Sequence, residues 1–280
     1  MTTITAFIKR HPVLTYFALT FAISWGGILM VIGPGGILGT KEVSEELMPF
    51  VYLATLLGPS LAGILLTGLV DGRVGFRELL SRLLRWRVGA RWYAVALLTA
   101  PLLITATLFA LSLTSPVFLP VIVTTDDKVS LLLTGIVMGL VVGFFEELGW
   151  TGFAVPRLRL RYGVLTTGLI VGLLWGAWHF PLFSGSVSSS GALPPALYLS
   201  VLLFSFLPAY RVLMVWVYDR TRSLLVAMLM HAPLAASQLI LIPPAITGVQ
   251  VVTYDLVFAA ALWVFVAAVA VAQRRAALKG

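Results

Sequence analysis

Apolar stretches of about twenty residues, the length of helix that crosses a hydrocarbon core, recur along this chain from Val13 to Ala272. Lipid offers no partner to backbone N–H and C=O groups, so spans of this length cross as helices that satisfy those groups internally. Of 280 residues, 60% are hydrophobic and 11% charged, far from the roughly one quarter charged that is usual in soluble domains. No polar block is large enough for a second domain. The expectation is therefore a single transmembrane domain over residues 1–280, all-α and polytopic. There is no cysteine, which excludes disulfides, thiolate metal sites and a cysteine nucleophile.

Eight spans are expected, at about Val13–Ile32, Pro49–Val70, Trp92–Leu113, Ser130–Val155, Val164–Phe183, Pro195–Tyr218, Ser223–Ile242 and Thr253–Ala272. Between the second and third, Phe76, Leu79, Leu80, Leu83 and Leu84 recur at helical spacing among arginines, the pattern of an interfacial helix. Ser184 to Gly191 reads as a flexible polar loop. The net charge of +8 follows membrane topology rather than nucleic acid. Of 19 Lys and Arg, only Lys41 and Lys128 fall on the side opposite the N-terminus, while Arg274, Arg275 and Lys279 follow the last span on the N-terminal side. The positive-inside rule then puts both termini in the cytoplasm.

The residues that cost most to keep in such a chain are Glu146 and Glu147, adjacent carboxylates inside the fourth span. An ionisable group at bilayer depth is unfavourable by about 2.5 kcal/mol or more and marks function until a structural partner is found. Helical neighbours diverge by about 100°, so the pair cannot share a proton as an aspartic dyad does. One is expected to face a cavity as general base, the other to meet a cation or hydrogen-bond donor. A helix end at the headgroups would explain both more simply.

Two histidines join them from apolar segments, His179 in the fifth span and His231 about 13 Å into the seventh. Gly135, Gly139 and Gly143 line one ridge of the fourth span, and Gly168, Gly172 and Gly176 an equivalent ridge of the fifth. Small residues at this spacing let helices approach closely. If the two ridges pack together, Glu146 and His179, each three residues beyond the last glycine, border the contact. Arg211 is a cation deep in the sixth span, placed either to snorkel or to neutralise Glu147.

A buried Glu with two His can hydrolyse an amide in two ways. Glu146, assisted by His179, activates a water while His231 stabilises the oxyanion. Alternatively His179, His231 and a glutamate hold zinc with its water. The local H-E-x-x-H arrangement is absent, and so are a convincing serine nucleophile and a pair of intramembrane aspartates.

Three segments resemble the motifs of the CAAX prenyl endopeptidase and bacteriocin-processing (CPBP, Abi) family of intramembrane glutamate endopeptidases. Glu-Glu-x-x-x-Arg corresponds to Glu146-Glu147-Leu-Gly-Trp-Thr151, Phe-x-x-x-His to Trp175-Gly-Ala-Trp-His179, and His-x-x-x-Asn to His231-Ala-Pro-Leu-Ala235. The resemblance covers residues 143–237. It implies an eight-helix fold with a buried cavity, expected to open to the cytoplasmic side of a bacterial cell membrane. It also implies Glu146 as the water-activating base, with Glu147 beside it, His179 as partner and His231 in the oxyanion site. The substrate implied is a peptide or membrane-protein segment, lipidated or not; no cofactor is expected, with the zinc arrangement above as the alternative.

Three positions depart from the motifs. Trp175 for Phe keeps an aromatic. Thr151 replaces an arginine that would stand one turn from Glu147, leaving Arg211 and Arg157 as candidate cations. Ala235 removes an amide one turn from His231, and losing one oxyanion donor typically costs about 10²–10³ in rate. A non-catalytic scaffold or chaperone that binds a partner helix is the alternative these departures favour. A small transporter would instead predict related halves, which the chain does not have.

Overall fold

The computed structural model describes residues 3–277, with side-chain surroundings to residue 272. The described residues are helical with short links, and no strand occurs among them. A short helix, Thr3–Arg10, precedes α1 (Pro12–Ile37). Then follow α2 (Met48–Leu83), α3 (Ala90–Ser112), α4 (Lys128–Gly149), α5 (Val164–Trp178), α6 (Pro195–Thr221, interrupted at Ser205 and Phe206), α7 (Leu224–Leu241) and α8 (Val249–Ala277). Seven of the eight are long and apolar enough to cross a membrane alone, and α5 makes the eighth with the bent segment that follows it. The protein is an all-α polytopic integral membrane protein. The side chains of Arg274 and Arg275, and all of Lys279, lie outside what is described.

Several helices differ from their expected extents for local reasons. α2 runs on through Gly72, whose φ of 60° breaks the helical path where only glycine is unstrained. Its last turns are the expected basic amphipathic segment, yet they do more than float at an interface. Leu79 packs against Leu148, Leu224 and Met228. Arg82 donates to the Gly152 carbonyl at 2.9 Å and to the Tyr218 hydroxyl at 3.1 Å. α5 ends at Trp178 rather than continuing to Phe183, and the chain bends by 44° at His179. Pro181 supplies the cause: it has no N–H to give back to the carbonyl one turn earlier. The segment expected as a flexible loop coils into a 3-10 helix, Ser184–Ser189, whose first hydroxyl bonds the Ile37 carbonyl.

The two glycine ridges do not pack against each other. Gly135, Gly139 and Gly143 face α7, where a Cβ on Gly143 would stand 2.8 Å from the Met228 carbonyl oxygen. Gly168, Gly172 and Gly176 face α6, and a Cβ on Gly172 would stand 2.6 Å from the Pro208 Cα. Small residues license a close approach without naming the neighbour. The consequence is that α4 and α5 are each tied to a different partner helix, and the site forms where those two pairs meet.

Candidate active site

Beyond Gly149 the fourth span continues as a five-residue π-helix, Trp150–Ala154, and then Val155–Leu158. A π-turn inside an α-helix is rare and frequent at functional sites. Here it follows directly on the two carboxylates. Glycine contacts hold the segment in place: Gly149 lies against the Pro59 backbone of α2, and Ser60 donates to the Phe145 carbonyl at 2.7 Å.

Glu147 is fully buried and surrounded by donors. Its Oε1 accepts from Arg211 at 2.7 Å and from His231 Nδ1 at 2.8 Å, and its Oε2 accepts from the Thr151 hydroxyl. The cation expected of Arg211 or Arg157 is therefore Arg211. Arg157 pairs instead with Asp71, and it lies over the Phe153 ring. Thr151, at the position of the motif's arginine, keeps a hydrogen bond to Glu147 without supplying charge. Arg211 is itself wholly buried, with its guanidinium 4.2 Å from the Trp175 ring centre. That face contact offsets part of its lost hydration.

Glu146 has a different environment. Its Oε2 accepts from the indole N–H groups of Trp175 at 2.7 Å and Trp150 at 3.2 Å, while Oε1 has no partner among the described residues. The side chain lines a cavity of about 730 Å³ whose polar wall includes His179, His231 and Gln238. Trp175 is thus more than an aromatic filler, since the phenylalanine of the motif has no N–H to give. Trp150 was not singled out in the sequence, although its place four residues after Glu146 puts it on the same helix face.

The histidines are held by their Nδ1 atoms. A carboxylate only accepts, so the His231 Nδ1 carries a proton towards Glu147, and its Nε2 lies 4.0 Å from Glu146 Oε2. His179 Nδ1 meets the Trp175 carbonyl at 2.8 Å, which leaves its Nε2 towards the cavity wall it helps form. No hydrogen bond joins His179 to Glu146 directly. Trp175 links them, bonding one through its carbonyl and the other through its indole. Ala235 also lines the cavity, one turn from His231, and so does Gln238 one turn further. Among the described residues, no group of three or more His, Asp or Glu side chains is arranged to hold a metal ion.

The cavity corrects one expectation. Its wall runs from Glu146 and His231 towards Tyr52, Thr134, Leu239 and Pro244, the exposed lining residues. These lie near the helix ends remote from the arginine-rich links, whereas an opening on the basic side was expected. Towards the basic side the space is filled by Tyr16, Trp150, Phe153 and Tyr210, none of them measurably exposed.

Residues 128–236 match the family described as type II CAAX prenyl endopeptidase Rce1-like. A stretch of 43 residues is 44% identical to the CAAX prenyl protease 2 of Methanococcus maripaludis, covering 15% of this chain and 16% of the length of that protein. The matched family segment begins with α4 and ends within α7, so it contains both carboxylates, both histidines and Arg211. Through residues 128–236, well under half of its length, the chain is similar to the type II CAAX prenyl endopeptidase Rce1-like family.

Proposed function

We propose that the protein is an intramembrane endopeptidase in which Glu146 activates the attacking water. The observation that carries this is the division of labour between adjacent carboxylates. Glu147 is saturated by a cation, an imidazole and a hydroxyl, while Glu146 keeps one oxygen free at a cavity wall. A water on Oε1 gives its proton to Glu146 as it attacks the peptide carbonyl carbon, and Glu146 later passes that proton to the leaving amine. The two indole donors fix the orientation of the carboxylate.

Glu147 orients His231 through its Nδ1, the role a buried carboxylate plays behind a histidine in hydrolytic triads. Protonated His231 presents Nε2–H to the oxyanion. His179, with its free Nε2 at the cavity, assists the water. The substrate is a peptide or membrane-protein segment, and a largely apolar wall accepts a lipidated one as well as an unlipidated one. With the basic ends of the helices cytoplasmic, as the positive-inside rule assigns them, the substrate enters from the opposite half of the bilayer.

The test is cleavage of membrane-tethered peptides by purified protein, comparing wild type with Glu146→Gln in the presence and absence of a zinc chelator. Loss of cleavage in the variant and indifference to chelator support the mechanism. Chelator inhibition reversed by zinc replaces it with a metal-bound water. Binding of peptides without cleavage by either protein replaces it with a scaffold.

A further inference from the structure

The cavity contains one acidic side chain that this hydrolysis does not use. Asp255, on α8, is 6% exposed and lines the same cavity as Glu146 and His231. Among the described residues it makes no ion pair and its carboxyl accepts no hydrogen bond. The contrast with Glu147 is direct, because that equally buried carboxylate meets three donors. Val251, one turn earlier on the same face of α8, and Ile246 give the surrounding wall an apolar character. The neighbouring Tyr254 hydroxyl is also buried without a partner.

An ionised carboxyl withdrawn from water with no partner is strongly disfavoured. A cation brought in from outside removes that penalty and adds a charge-assisted hydrogen bond. Asp255 stands six residues into α8 from Val249, about 9 Å along the axis, whereas His231 stands ten residues before the Leu241 end of α7, about 15 Å. The short link between those ends levels them. Asp255 is then nearer the rim than His231 by roughly 6 Å, about two residues of extended peptide.

We propose that Asp255 is a specificity-determining residue that takes a lysine or arginine side chain of the substrate, within a few residues of the bond that is cut. The inference rests on the peptidase reading above, with the cavity as the substrate site. It makes the preferred substrate an apolar segment carrying a basic residue.

The test uses full-length protein in zwitterionic lipid nanodiscs, so that basic peptides are not concentrated by the membrane surface. Matched apolar peptides carry either lysine or glutamine at each position flanking the cleaved bond. Cleavage is measured as kcat/KM for wild type, Asp255→Asn and Asp255→Glu. Binding of the same peptides is measured on Glu146→Gln and on Glu146→Gln combined with Asp255→Asn.

Wild type is expected to prefer lysine at one position by about 10²-fold, the scale for truncating one partner of a buried charge pair. Asp255→Asn loses that preference, and Asp255→Glu retains part of it. A lysine preference in binding that Asp255→Asn removes, with no cleavage by any protein, supports the cation site and overturns the peptidase reading. Cleavage with no lysine preference, or a preference that survives Asp255→Asn, overturns the proposal. So does the absence of any lysine preference in binding.

Discussion

Glu146 and Glu147 are one residue apart on the same helix and belong to different halves of the molecule. Glu147 points into the packed half, where α6 and α7 bring Arg211 and His231 to it. Glu146 points to the cavity, with two indoles on one oxygen and, among the described residues, nothing on the other. The difference teaches that a carboxylate's sequence position says little about its task in a helix bundle. Neighbouring helices decide it, by what they present to each side of the turn.

The comparison is most sharply tested by exchanging the loss between the two residues. Glu146→Gln is expected to lower the cleavage rate by about 10²–10⁴-fold, the usual contribution of a positioned general base. Its unfolding midpoint in detergent should stay that of wild type. Equal damage to the midpoint would mean that Glu146 is structural too.

Arg211→Met is next in size. It leaves Glu147 without its cation, and breaking a buried pair from one side costs about 3–5 kcal/mol. Denaturant unfolding should record that loss and should show much of it recovered in the double variant with Glu147→Gln. Failure of the second change to recover any stability would show that Arg211 acts through Trp175 rather than through Glu147.

A smaller effect is expected where the two halves are joined. Gly143→Val inserts side chain against the Met228 carbonyl of α7, and overpacking of this kind costs about 1–3 kcal/mol. Because the same contact sets the approach of His231 to α4, the rate should fall further than stability alone explains. Wild-type kinetics in a destabilised variant would separate the ridge from the site.

Thr151→Val is the mildest change, removing one hydroxyl from Glu147 at nearly constant shape. A hydrogen bond to a charged group contributes about 1.5–3 kcal/mol, and the lower end is expected because Arg211 and His231 remain. The midpoint should drop slightly and the rate should hold. A rate that collapses would show that Thr151 sets the tilt of Glu147 and, through it, of His231.

Much of the site was legible because the bilayer makes polar residues conspicuous. Glu146, Glu147, His179, His231 and Arg211 stand out from apolar surroundings, and the structure gathers four of them within direct contacts around Trp175. His179 joins through the Trp175 backbone. Asp255 was passed over because it lies near a span end, where acids are usually solvated. Trp150 was passed over because its indole looks apolar until its N–H finds a partner.

The chain's apolar periodicity determined by itself that it is a bundle of membrane helices, since lipid leaves the backbone no other way to pair its polar groups. The isolated charges likewise determined which segments had to meet. Which helices they meet through was decided only in three dimensions. A glycine ridge permits contact with any surface of matching shape, so spacing did not reveal that α4 packs on α7 and α5 on α6. The direction of the cavity was settled in the same way. Large aromatics from three spans fill one end of the bundle and leave the other open, and that is a property of their joint packing rather than of any one segment.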